Sequence, residues 1–196
     1  MTGRFLSISA LIALTAGAAH AQSWSLDSDA SALMFGSVKN DYIGEVHRFE
    51  QLSGQVAENG AATITIALGS IDTAIEIRNE RMIEHVFNFA KDASITGKFD
   101  MQAVAGLDDG ETMVLPLEAQ LSFLGNTVNL TPEMFIVRIS EDKVMATTES
   151  MVYVATDEIE IDAAIDKLQE IAGLDSITRS VPVVMRLVFD RDASES

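Results

Sequence analysis

Alternation with a period of two, repeated in short runs between tight-turn signals, limits the fold of this chain more than any other feature. Apolar residues take every second position in Ile64, Ile66 and Leu68, and again in Leu115, Leu117, Ala119, Leu121 and Phe123. The pattern returns in Phe135, Val137 and Ile139, and last in Val183, Met185, Leu187 and Phe189. Ile95, Gly97, Phe99, Met101 and Ala103 share one face, while Thr96, Lys98, Asp100 and Gln102 share the other. Successive side chains of a strand point to opposite faces, so each run reads as a strand with one dry and one wet side. Glu58-Asn59-Gly60, Asp108-Asp109-Gly110, Gly125-Asn126 and Glu141-Asp142-Lys143 punctuate the runs, and connections this short join antiparallel neighbours. The expected fold is mainly β, an antiparallel up-and-down barrel of about eight strands. Closure removes exposed edges and can leave room for one apolar ligand.

Two segments change period, so one or two short helices are expected. Ile75, Met82, Ile83, Val86 and Phe87 approximate one helical face, and Ile161, Ala164, Ile165, Leu168 and Ile171 do so more clearly between Glu158 and Ala172. Asp157 suits the N-cap of the second helix and Gly173 its C-terminal glycine. No internal repeat, low-complexity tract or linker interrupts the chain.

The N-terminus reads as a targeting segment. Arg4 precedes an apolar run from Phe5 to Ala18, and Ala19-His20-Ala21 supplies a small-x-small cleavage pattern. The expectation is a secretory signal peptide over residues 1–21, too short to be a stable membrane span, and a single domain over 22–196. An exported protein without stable membrane insertion is expected; a signal peptide alone does not distinguish periplasm from full secretion, and the periplasm is the expected location. The chain has no cysteine, which rules out disulfides, thiolate zinc sites, iron–sulfur clusters and a cysteine nucleophile. A formal charge of −17 opposes nucleic acid and anionic lipid surfaces.

Catalytic and metal signals are sparse. With His20 cleaved, only His47 and His85 remain, and they lack the i, i+4 spacing that sets two imidazoles on one helical face. The pairs in "FGSVK" and "LGSID" are not nucleophile elbows. "LDDGET" lacks the spaced oxygen ligands of a calcium loop. The 30 acids read as a solvated surface, so no metal, cofactor or catalytic set is expected. What stands out is an apolar set rich in Phe and Met, residues that supply contact area and adapt to irregular shapes. Such residues fill a core or line a cavity, and periodicity does not choose between the two.

Several short motifs follow one another in a familiar order: Trp24-Ser25-Leu26-Asp27, Ala30-Ser31 with Phe35 and Val38-Lys39, and Phe49 followed by Gly54. Next come "SIDTAIEIRNERM", "FNF", "ITGKF" and "LSFLGNTVNL", and finally "AIDKLQEIAGL" before "SITRSVPVVMRLVF". Together they resemble the YceI-like family of exported polyisoprenoid-binding proteins over nearly the whole chain after the signal segment. The resemblance implies a lipocalin-like barrel whose elongated cavity holds a long isoprenoid, quinone-like or other lipid chain, in a binding protein without a shared catalytic constellation. This sequence departs from the family pattern at Arg78-Asn79, where Arg-Asp is usual. It departs also at Asp92-Ala93, in place of an aromatic-proline step, and at Asn40, in place of a histidine.

Under that reading the cavity lining is assigned to Phe35, Phe49, Phe99, Phe123 and Phe135, and the rim to Asp72, Thr73 and Arg78. Ser70, Asp72 and Thr73 can satisfy backbone groups where a strand gives way to a helix, and Arg78 can pair with Asp72 or with a ligand headgroup. The same stretch also suits plain turn and helix capping with no ligand contact. Two other functions remain open: an enzyme acting on an apolar substrate through His47 or His85, and an acidic interaction or stress-response module whose barrel is simply filled. A strand edge or the late helix offers a surface for a homodimer, and nothing in the residues decides it.

Overall fold

The computed structural model describes residues 23–193, so the signal segment expected over 1–21 lies outside the described residues. The described residues form fourteen strands in one antiparallel sheet, with three α-helices and a 3-10 turn at Leu68–Ser70. First come β1 (Trp24–Leu26), β2 (Ala32–Lys39), β3 (Ile43–Phe49), β4 (Leu52–Val56), β5 (Ala61–Ala67) and β6 (Ile71–Asp72). Helix α1 (Glu76–Arg81) runs into a widened turn, Met82–Val86, and is followed by β7 (Asp92–Lys98) and α2 (Met101–Ala105). The chain continues through β8 (Thr112–Pro116), β9 (Ala119–Phe123), β10 (Asn126–Leu130), β11 (Glu133–Ser140), β12 (Lys143–Thr148) and β13 (Val152–Ala155). It ends with α3 (Asp162–Ala172) and β14 (Ser180–Arg191).

The long strand β14 is the spine. Arg186 faces Ala32 of β2 on one edge and Thr147 of β12 on the other, and Asp190 faces Ser25 of β1 and Lys143 of β12. From β1 the sheet continues through β4, β5, β7 and β9 to β10, and from β12 through β11 to β8. Registers place Ile64, Ile95 and Leu121 in one row across β5, β7 and β9. At the β4–β5 turn Gly60 has φ +83°, and a Cβ there would lie 2.0 Å from the Phe99 carbonyl. Only glycine fits that turn.

Short segments replace the few long strands that the alternation suggested, because the chain bends within several runs. The run from Leu115 to Phe123 breaks between Pro116 and Ala119 into β8 and β9. The run through Ala103 ends at Lys98: Asp100 caps a helix instead, its carboxylate accepting from the Gln102 and Ala103 amides at 3.0 and 3.1 Å. Alternation in "KFDMQAVA" is therefore overridden by a local cap. The late helix starts at Asp162 rather than near Glu158, since the Ile161 amide still closes a turn onto the Thr156 carbonyl at 2.9 Å. Its C-terminus follows expectation, with Gly173 left-handed at φ 64°.

The interior has two unlike halves. One is filled: Trp24, Val56, Val104, Ile136, Val144 and Phe189 are buried against each other. There Arg138 and Arg191 sit over the Trp24 ring, 5.6 and 5.0 Å from its centroid. The other half is hollow.

Candidate functional site

The β2–β3 hairpin builds the first wall of the hollow half. Asn40 and Asp41 reverse the chain in left-handed conformations, φ 50° and 65°, which short polar side chains tolerate. Period two then puts Leu33, Phe35, Ser37 and Lys39 on the same face as Phe49, His47 and Glu45, and all seven line the cavity. The wall grades from apolar residues at Leu33 and Phe49 to charged ones beside the turn.

The cavity measures about 410 Å³, within the range of small-molecule sites. Its other walls come from β5, β7, β9, β13 and β14, among them Ile66, Ile95, Leu121, Val154 and Met185. Helix α3 covers one side with Ile165, Leu168 and Ala172. Below α1 the widened turn is closed by the Phe87 amide donating to the Met82 carbonyl five residues back, at 2.9 Å. Met82, Val86 and Phe87 all line the cavity. Four phenylalanines form a continuous path: Phe35 to Phe49 at 5.6 Å between centroids, Phe49 to Phe87 at 5.9 Å, and Phe87 to Phe123 edge-on at 6.0 Å. Ile75 and Ile77, about half exposed, belong to the same lining and mark its opening.

Polar groups gather at one end. Glu45 takes a 2.7 Å hydrogen bond from Arg78 Nη1 and a 3.0 Å bond from Lys39 Nζ. Burial raises the Glu45 pKa, but its two cationic partners outweigh that and hold it below the ordinary carboxylate value. His47 Nε2 lies 2.9 Å from Ser37 Oγ, and Phe35 packs on the imidazole at 5.1 Å. Burial first, then the Arg78 cation, depress the imidazole pKa below 6.5, so His47 is neutral at physiological pH.

The assigned lining residues divide. Phe35, Phe49 and Phe123 stand in the main cavity. Phe99 lies in the filled half, beside Trp24 and Met101. Phe135 contributes to neither, because β11 is turned the other way: Met134, Ile136 and Arg138 are buried while Ile139 is exposed. Arg138 is buried on that face because Trp24 and the Glu141 carbonyl, 2.8 Å from Arg138 Nη2, give it partners inside.

Of the three assigned rim residues, Thr73 and Arg78 build a clamp with Asn79, and Asp72 stands beside it. Thr73 is fully buried; its amide and hydroxyl donate to Asn79 Oδ1 at 2.9 and 2.6 Å. An aspartate would offer the same acceptor, so Asn79 keeps the clamp despite its departure from the family pattern. Asp72 caps the Ala74 amide at 2.8 Å and pairs with Arg48 at 2.9 Å, not with Arg78. Of the three, only Arg78 reaches the cavity, held by Glu45 and, at 2.6 Å, by the Thr73 carbonyl. Asn40 Oδ1 accepts from the Asp175 amide at 2.9 Å, tying the hairpin turn to the loop after α3. At the third departure, Ala93 is a small buried lining residue.

Sequence reasoning missed Ser37 and did not foresee the Glu45 bridge. Their signal was Asn40-Asp41 standing between two alternating runs, which defines a hairpin whose inward face is odd-numbered. The Ser37–His47 pair is not a catalytic triad, since His47 Nδ1 has no hydrogen-bond partner among the described residues. His85 lies on the widened turn, 3.9 Å from Glu84. No group of three or more metal-ligating side chains occurs among the described residues, and no helix among them is long and apolar enough to cross a membrane.

A family model for the YceI-like domain matches residues 24–189. A solved polyisoprenoid-binding domain from Saccharophagus degradans, implicated in plant cell wall breakdown, is 33% identical over 86% of this chain and 98% of its own, with a TM-score of 0.84. BcnA from Burkholderia cenocepacia shares the fold at 15% identity, a TM-score of 0.64, and coverage of 83% of this chain and 98% of its own. A comparison with curated proteins finds no match.

Proposed function

Because the chain belongs to the YceI-like family, we propose that it is a binding protein that encloses a long apolar chain, a polyisoprenoid, quinone-like lipid or similar amphiphile, for transport, storage or sequestration. The observation that carries this reading is the cavity: about 410 Å³, lined almost wholly by apolar side chains, with its polar groups gathered at one end. A chain lying along the Phe35–Phe49–Phe87–Phe123 path gains about 0.8 kcal/mol for each methylene removed from water. The polar head then rests near Lys39, Glu45 and Arg78. The neighbour from Saccharophagus degradans, a polyisoprenoid-binding domain, supports the ligand class.

The wall around the cavity is best described as a lipocalin-like barrel of eight bent strands. Setting aside the two-residue β6, which pairs only with β3, joining β1 to β2, β3 to β4, β8 to β9, β10 to β11 and β12 to β13 leaves eight units with β5, β7 and β14. The ladders β9·β10 and β8·β11 bring the two ends of the sheet beside one another through these bent units, which supports that reading. With an exported leader over residues 1–21 the protein works in the periplasm, where an amphiphile crossing water needs an apolar enclosure. It does so as a carrier, the role that its family and the polyisoprenoid-binding neighbour support.

The test is co-elution of a radiolabelled long-chain polyprenol with the purified protein on size exclusion. Stoichiometric co-elution supports the reading, and label eluting free at protein concentrations far above micromolar rejects it.

A further inference from the structure

Three cations line the cavity, Lys39, Arg78 and Arg81, against the single carboxylate of Glu45. In a chain of formal charge −17, the lining thus carries the opposite sign to the whole. Glu45 is already taken by two of the three: Oε1 accepts from Lys39 Nζ at 3.0 Å and Oε2 from Arg78 Nη1 at 2.7 Å. Arg78 turns its other arm to the Thr73 carbonyl at 2.6 Å. The third cation stands apart, since the half-buried side chain of Arg81 makes no ion pair and no hydrogen bond among the described residues. Its acidic neighbours along the helix, Glu80 and Glu84, are exposed, and Glu84 lies 3.9 Å from His85 instead.

We propose that Arg81 is the head-group contact of this cavity, and that the enclosed chain ends in an anionic group, a carboxylate or a phosphate monoester. The inference rests on the reading of the cavity as a chain-binding site and specifies the charge of the head.

A guanidinium drawn partly out of water costs free energy unless an anion or an acceptor compensates it. Its planar fork matches two oxygens of a carboxylate or phosphate, and such charge-assisted bonds are about twice as strong as neutral ones. Arg81 closes α1, and Met82, Val86 and Phe87 follow it in the lining. A head held there leaves its chain on the apolar track from Phe87 to Phe123. Ile77, four residues before Arg81 and so on the same helical face, belongs to the half-exposed opening. The head therefore sits at the mouth, where water still reaches it. The acidic exterior does not oppose this, because exposed charges more than about 8 Å away are largely screened at physiological ionic strength. Arg81 also lies in the last turn of α1, where a cation suits the helix dipole. That role alone predicts a loss of stability and no change in head preference.

The experiment compares the affinities of geranylgeraniol, geranylgeranoic acid and geranylgeranyl monophosphate, which share one chain, at about pH 8, where the carboxylate is ionised. The wild-type protein is expected to hold at least one of the two anions roughly tenfold more tightly than the alcohol, the effect of one charge-assisted hydrogen bond. The anion with the larger preference names the head. In Arg81→Gln the anion-to-alcohol ratio falls to about one, while Arg81→Lys, which keeps the charge without the fork, retains part of it. If circular dichroism shows the glutamine variant unfolded, Arg81→Met carries the same comparison. A wild-type ratio of one or less for both anions overturns the inference alone, and so does a full ratio retained in the glutamine variant. Failure of all three compounds to bind overturns the chain-binding reading and this inference with it.

Discussion

Arg78 Nη1 lies 2.7 Å from Glu45 Oε2, joining the first helix to the second strand of the hairpin across the opening of the cavity. Both side chains are mostly buried, and the second guanidinium arm reaches the Thr73 carbonyl. Removing the guanidinium leaves a largely buried carboxylate with Lys39 alone and frees the clamp that begins α1. Arg78→Gln is expected to lower unfolding stability by about 1–2 kcal/mol in urea titration. A double-mutant cycle with Glu45→Gln should return a coupling of about 1 kcal/mol. Additive losses would mean that the bridge contributes nothing.

The two halves of the interior separate binding from stability. Phe123 stands in the cavity, edge-on to Phe87, and Phe99 stands in the filled half. Phe123→Asp places a charge against the enclosed chain and should abolish uptake of a long polyprenol in a protein that stays folded. Phe99→Leu should cost about 1 kcal/mol of stability and leave polyprenol affinity within about twofold, a margin of roughly 0.4 kcal/mol. The reverse assignment predicts the opposite pair of results.

Acid should destabilise the fold in two windows. His47 is held below its ordinary 6.5 by burial and by Arg78, so the unfolded chain binds a proton there before the folded one does. Its contribution is complete above about pH 6.5 and is lost as pH falls toward the folded imidazole's own pKa. Glu45 is depressed below 4.5, and its contribution is complete above that value and lost as pH falls through the folded pKa. Urea midpoints measured between pH 7.5 and 3.5 should therefore decline in two steps. His47→Gln should remove the upper step and leave the lower one.

Arg138 tests why the filled half tolerates a charge. Its guanidinium lies over Trp24, Nη2 bonds the Glu141 carbonyl, and Nε has no partner among the described residues. Arg138→Ala, which opens a void beside Trp24, should cost about 2 kcal/mol or more. Arg138→Met keeps the apolar stem and should cost under about 1 kcal/mol, as buried ionic groups often do when replaced by apolar side chains of similar volume. Equal losses in the two variants would place the stabilisation in the charge itself.

Alternation made the antiparallel β character legible, because a half-buried strand imposes its period directly on the sequence. Among the lining phenylalanines, Phe123 stood in an alternating run, while Phe35 and Phe49 were assigned through the family resemblance. Alternation fails where both faces are apolar. In β11 the frames Phe135-Val137-Ile139 and Met134-Ile136 are equally hydrophobic, and the deciding residue, Arg138, is buried by partners distant in sequence. It fails again at Asp100, where a side-chain cap worth about 1 kcal/mol turns an apparent strand into a helix. The polar end of the site is a tertiary product: Glu45, Arg78 and Ser37 come together only once the hairpin register and the clamp at Thr73 and Asn79 are set.

Native mass spectrometry of the protein recovered after export from a bacterial host, followed by organic extraction of whatever it releases, tests the central claim most directly. The account predicts a one-to-one adduct with a long-chain apolar lipid, absent from Phe123→Asp. Lipid-free protein that also takes up no added isoprenoid would contradict it.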